Sequence, residues 1–131
     1  MTDLFRVAGE THVSVEYMRL PRNRSMSVNT AEGDYILMDY SLIAATQERV
    51  HLAHELGHCL TGSFYNPYAL LDIRRKHEYR ANKWAVRHLV PEAALIDAIS
   101  HGIDTRWELA EMFEVTEDFI VMAVEMYGLA G

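Results

Sequence analysis

Cysteine is almost missing from this chain. Cys59 stands alone among 131 residues, so no internal disulfide can form and nothing points to an oxidising compartment. A reducing cytoplasm fits that usage best. Positive charge is also scarce: 12 Lys and Arg face 19 Asp and Glu, and the net charge is −7. That balance argues against broad attraction to phosphate backbones or anionic membrane surfaces, so no direct nucleic-acid binding and no membrane partner are expected. No apolar run is long enough to span a bilayer, and the start Met1-Thr2-Asp3-Leu4 lacks the basic-then-apolar pattern of a signal peptide. Internal repeats, low-complexity tracts and linker-like stretches are lacking as well. What is present is a chain with 50% apolar residues, of a length that suits one compact domain, 1–131, with a real core.

The pattern along the chain predicts an α+β fold. Val13, Val15 and Tyr17 alternate with Ser14, Glu16 and Met18, which suits a half-buried strand ending at Pro21. Ser25 to Asn29 and Tyr35 to Asp39 read as two more strands flanking a turn at Glu32-Gly33-Asp34. The expected product is a small antiparallel sheet of three strands within an N-terminal helix and sheet portion, 1–40. After Ser41 the periodicity is helical. One helix starts between Ser41 and Thr46 and ends at Thr61-Gly62, with Val50, Ala53, Leu56 and Leu60 on one stripe. A second runs from Asp72 to Leu89, with Ala81, Trp84, Ala85 and Leu89 inward, and Pro91 stops it. These two make up a catalytic portion, 41–90. In the remainder, 91–131, Pro91 suits the first turn of a short helix through Ile99, Asp104 or Thr105 can cap Arg106 to Phe113, and Thr116 can cap Glu117 to Tyr127.

The run His54-Glu55-Leu56-Gly57-His58 carries the chemistry. A catalytic zinc needs neutral imidazoles that converge on one ion, an open position for water, and a carboxylate able to take that water's proton. His54 and His58 lie one helical turn apart on one face, and Glu55 can lean toward the bound water. The five-residue pattern is too common by chance to stand alone. Support comes from the second helix, where Glu78 and Asn82 project from one face. Glu78 can complete a His, His, Glu ligand set for Zn2+, and the side-chain oxygen of Asn82 can accept the second ring N–H of His54 or His58. His51 shares the helical face but lies two turns from His58, roughly 10 Å along the axis, which disfavours it as a third imidazole ligand and suits a supporting or solvent role. Cys59 reads as a small core residue. Donors for a tetrahedral oxyanion are to be sought among His77, Tyr65, Tyr68 and Tyr79.

The stretch from Arg49 through His58, together with Glu78-Tyr79-Arg80-Ala81-Asn82 and its continuation through Ala85 and Leu89 to Pro91, resembles the ImmA/IrrE family of zinc metallopeptidases. The likeness is strongest from Ile36 to Pro91 and looser on either side. Trp84 stands where that family often has Phe, an aromatic for an aromatic. The resemblance implies a gluzincin-like fold, metal ligation by His54, His58 and Glu78, and Glu55 as the catalytic glutamate. It also implies a substrate class. Such proteins are typically intracellular proteases that cleave helix-turn-helix transcriptional repressors, often those of prophages or integrative elements.

Thr105 to Tyr127 has the spacing of a helix-turn-helix. Yet Glu108, Glu111, Glu114, Glu117, Asp118 and Glu125 make it acidic, with Arg106 its one Arg or Lys, so DNA contact would be repulsive. A helical pair packed on the core is the expectation. The alternative to an endopeptidase is a zinc-binding regulatory module that acts by contact with a partner protein, and the intact Glu55 speaks against it.

Overall fold

The computed structural model describes residues 3–64, 66 and 68–129. In chain order these form α1 (Leu4–Glu10), β1 (Val13–Met18), β2 (Ser25–Thr30), β3 (Gly33–Asp39), α2 (Ala45–Leu60), α3 (Leu71–Leu89), α4 (Glu92–Ser100), α5 (Arg106–Phe113) and α6 (Glu117–Met126). The class is α+β with a three-stranded sheet, as the patterning predicts. The sheet is mixed, however, and not wholly antiparallel. Its order is β1-β3-β2, with β1 parallel to β3 and β2 antiparallel to it.

The connections explain that order. β2 and β3 are joined by two residues, Ala31 and Glu32, with Gly33 at φ 130° opening the returning strand. β1 and β2 are joined by residues 19–24, which contain Pro21 and form no tight hairpin. Asp39, at the end of β3, holds that connection: its carboxylate accepts from the Leu20 N–H at 2.6 Å and the Ser41 N–H at 2.8 Å. The Asp39 N–H in turn donates to the Arg24 carbonyl at 2.8 Å, and the Tyr40 N–H to that of Met18 at 3.2 Å. β3 thus fills the gap between its two predecessors. β2 is left at the edge of the sheet.

Helix ends follow local chemistry. The side chains of Asp3, Thr105 and Thr116 accept from backbone N–H groups in the first turns of α1, α5 and α6. Pro91 sits at the N-cap of α4, one position ahead of the expected first turn, where its fixed φ and missing N–H cost nothing. One buried cluster joins the helices to the sheet, with Leu4 and Ala8 from α1, Ile36 and Met38 from β3, Leu52 and Leu56 from α2, and Ala85 and Leu89 from α3. Leu95, Leu109, Phe119 and Ile120 extend it through the last three helices. The Tyr127 hydroxyl donates to the Val90 carbonyl at 2.8 Å and ties the end of α6 to the end of α3. The α5–α6 pair therefore packs on the core. No helix among the described residues is long and apolar enough to cross a membrane.

One close approach places the site. Gly57 of α2 faces the backbone of Ala81 on α3. A Cβ there would collide with the Ala81 carbonyl oxygen and lie 2.9 Å from its Cα. Glycine and alanine at this crossing let the two helices meet backbone to backbone, and Glu78, one turn before Ala81, comes within reach of α2.

Candidate metal centre

His54, His58 and Glu78 converge. Their ligand atoms all lie within 4.8 Å of one another. The two Nε2 atoms are 3.1 Å apart, Glu78 Oε2 is 3.1 Å from His54 Nε2, and Glu78 Oε1 is 3.0 Å from His58 Nε2. Both remaining ring nitrogens are tied to oxygen. His54 Nδ1–H donates to Asn82 Oδ1 at 2.6 Å, and His58 Nδ1–H to the Ser63 carbonyl at 2.5 Å. Asn82 thus pairs with His54, which settles which of the two imidazoles it serves. Ser63 lies beyond the end of α2, where the chain turns back at Thr61 and Gly62 and Gly62 adopts φ 64°.

That proton accounting tests whether a metal fits. With each Nδ1 acting as donor, each neutral imidazole turns an Nε2 lone pair toward the other and toward a carboxylate. In that tautomer four electron-rich atoms, two Nε2 and two carboxylate oxygens, crowd one space. A proton on one Nε2 or a bound metal ion relieves the repulsion, and the three side chains are placed to hold either. The protein field agrees: burial pulls the His54 pKa down, but Glu78, Glu55 and Asn82 together outweigh it and the net shift is upward. Glu78 is held well below the usual carboxylate range, chiefly by its hydrogen bonds with His54 and His58. Both shifts express a demand for positive charge among the three side chains. Two nitrogens and a carboxylate form a donor set that suits a transition-metal ion. Side-chain exposure rises from 2% at His58 through 23% at His54 to 48% at Glu78, so the cluster opens to solvent along α3.

Glu55 stands apart from the triangle and is 5% exposed. Its Oε2 accepts a hydrogen bond from the Ser25 hydroxyl of β2 at 2.7 Å. The same hydroxyl lies 2.9 Å from His51 Nδ1. His51 is therefore directed toward the sheet and away from the cluster, and burial first, then the charges of Arg24 and His54, lower its pKa. A cavity of about 230 Å³ joins these groups, with Asn23, Ser25, Met26 and Ser27 on one wall and His54, Glu55, His58 and Glu78 on the other.

Ser25 and Ser63 had no signal in the sequence. Serine in a strand and a backbone carbonyl in a loop belong to no pattern, and only the fold brings them to the site. Of the four residues considered as oxyanion donors, the three that are described, His77, Tyr68 and Tyr79, do not line this cavity. His77 Nδ1–H is engaged by the Phe64 carbonyl at 3.1 Å, and Tyr68 is 94% exposed. Tyr79 lines a different cavity with Lys83 and Tyr127, and Tyr65 lies outside the described residues. Asn23, which the sequence did not mark as a site residue, lines the cavity. Cys59 is buried, as expected of a core residue, and its thiol is pushed up to about 12 by burial and then by the charges of Asp34 and Glu55.

Lone pairs that call for a cation, set beside a buried carboxylate free of the triangle, are what a metal needs to split an amide bond. On this α+β frame they define a site of the metallopeptidase type. The chain belongs to the peptidase M78 family, whose model, described as the IrrE N-terminal-like domain, matches residues 8–125. It has no match among curated proteins.

Proposed function

We propose that this chain is a zinc-dependent endopeptidase of the cytoplasm, that His54, His58 and Glu78 hold the zinc, and that its substrate is a helix-turn-helix transcriptional repressor. The observation that carries the zinc reading is the convergence of the two Nε2 atoms, 3.1 Å apart, on Glu78, with both Nδ1 atoms already paired with oxygen. The substrate class rests on the resemblance carried by Arg49 through His58 and Glu78 through Pro91. Bound zinc supplies Lewis acidity, which acidifies water and polarises a peptide carbonyl. The protein's own groups supply the rest. Glu55, with Oε2 held by Ser25, keeps its other oxygen for a water proton, which it then passes to the leaving amine. Asn82 and the Ser63 carbonyl hold the two imidazoles in the tautomer that leaves Nε2 free. β2 is an edge strand on the cavity wall, and an extended peptide can pair with its outer edge and lie across Glu55.

The test is incubation of the zinc-loaded protein with the repressor encoded beside its gene, with and without a chelator. Cleavage that stops with chelator, and stops in Glu55→Gln while zinc stays bound, is the expected result. Retained cleavage in Glu55→Gln refutes the role of the glutamate. No cleavage under any condition favours a zinc-binding module that works by contact with a partner protein.

A further inference from the structure

Glu55 is buried, and a buried carboxylate with a free torsion could point either of its oxygens into the site or away from it. One group restrains it. Ser25 Oγ lies between Glu55 Oε2 at 2.7 Å and His51 Nδ1 at 2.9 Å. His51 and Glu55 are i and i+4 on α2, so both face β2, and Ser25 is the first residue of that strand. Proton counting fixes the direction of both bonds. Ser25 donates its single hydroxyl proton to Glu55 Oε2, so Ser25 Oγ accepts from His51 Nδ1. His51 is held as the Nδ1–H tautomer.

We propose that Ser25 is a positioning residue for Glu55, and that His51 orients the Ser25 hydroxyl, so that a chain from His51 through Ser25 aims the glutamate's free oxygen at the reacting water. The proposal rests on the endopeptidase reading. It also gives β2 a second role, because the strand whose edge is open to a peptide holds the base as well. Substrate pairing and base alignment then depend on one segment. None of the hydrogen bonds described for Ser25 involves His54, His58 or Glu78, so its loss leaves the metal ligands as they are.

The test uses Ser25→Ala and Ser25→Thr in the full chain, with two readouts. The first is the tautomer of His51 by nitrogen-15 NMR at neutral pH, which needs no turnover. The wild type shows Nδ1–H, and Ser25→Ala moves toward the Nε2–H form usual in water. Nε2–H in the wild type overturns the hydrogen-bond chain. The second is steady-state kinetics with zinc content measured alongside. Loss of an orienting hydrogen bond of this kind lowers kcat about 10- to 100-fold. Here KM and zinc content stay unchanged, and Ser25→Thr, which keeps the hydroxyl, restores most of the rate. An active wild type with unchanged kcat in Ser25→Ala overturns the positioning role alone, as does an equal loss in Ser25→Thr. A wild type that cleaves nothing overturns the endopeptidase reading, and the tautomer result then still decides whether the His51–Ser25 bond exists.

Discussion

Gly57→Ala sets two effects of opposite sign against each other. In the middle of a helix, alanine is favoured over glycine by about 1 kcal/mol, so helix propensity alone predicts a more stable protein. The contact with α3 predicts the reverse. The new methyl would collide with the Ala81 carbonyl oxygen and sit 2.9 Å from Ala81 Cα and 3.0 Å from its carbonyl carbon, all of it backbone that cannot swing aside. Ordinary carbon contacts lie at about 3.5–4.0 Å, so α3 must retreat by about 1 Å. Overpacking of this sort costs about 1–3 kcal/mol, which leaves a net loss of up to about 2 kcal/mol after the propensity gain. The larger consequence is at the metal. Glu78 moves with α3 while His54 and His58 stay on α2, and a shift of about 1 Å far exceeds the tolerance of about 0.2 Å in metal-ligand distances. Zinc affinity should fall at least about 10-fold. Thermal melts of the metal-free protein and competition against a chromophoric chelator measure the two quantities separately. A variant that melts higher than the wild type and binds zinc as tightly would refute the close-crossing argument.

Proton competition gives the centre a definite pH dependence. A raised His54 pKa means stability from its proton that is full below the unfolded value of 6.5 and is lost as pH rises through the folded value. Zinc needs the same lone pair, so the rise in Tm on adding zinc should grow as pH climbs through 6.5 toward the raised folded value and level off above it, and an increment independent of pH would sink this account. Glu78 runs the other way: its lowered pKa contributes stability above 4.5 that is lost as pH falls, so acid weakens the metal-free protein too, as acid titration of its Tm would record. The Cys59 thiol, pushed up to about 12 and buried, should react with a thiol reagent only as fast as the protein opens, and prompt labelling of the native state would contradict its placement. Thr116→Ala removes the acceptor of the Phe119 N–H and should cost about 1 kcal/mol by denaturant unfolding without changing zinc affinity.

The centre was legible where its geometry is local. Histidines four apart on a helix must share a face, and Glu78 and Asn82 four apart on another must do the same, because the α-helical repeat fixes both relations within a single turn. Caps at Thr105 and Thr116 are readable for the same reason, since donor and acceptor are three residues apart. Strand existence was legible from period-two alternation, but strand order was not. Whether β3 lies outside β2 or between β1 and β2 depends on Asp39 reaching back to Leu20, and no local pattern records that choice. The tertiary fold likewise decided that Asn82 serves His54 while His58 takes the Ser63 carbonyl, and that His51 turns to the sheet. Ser25 lies 30 residues from the glutamate it holds. Periodicity reports which residues share a face, and packing alone reports what that face meets.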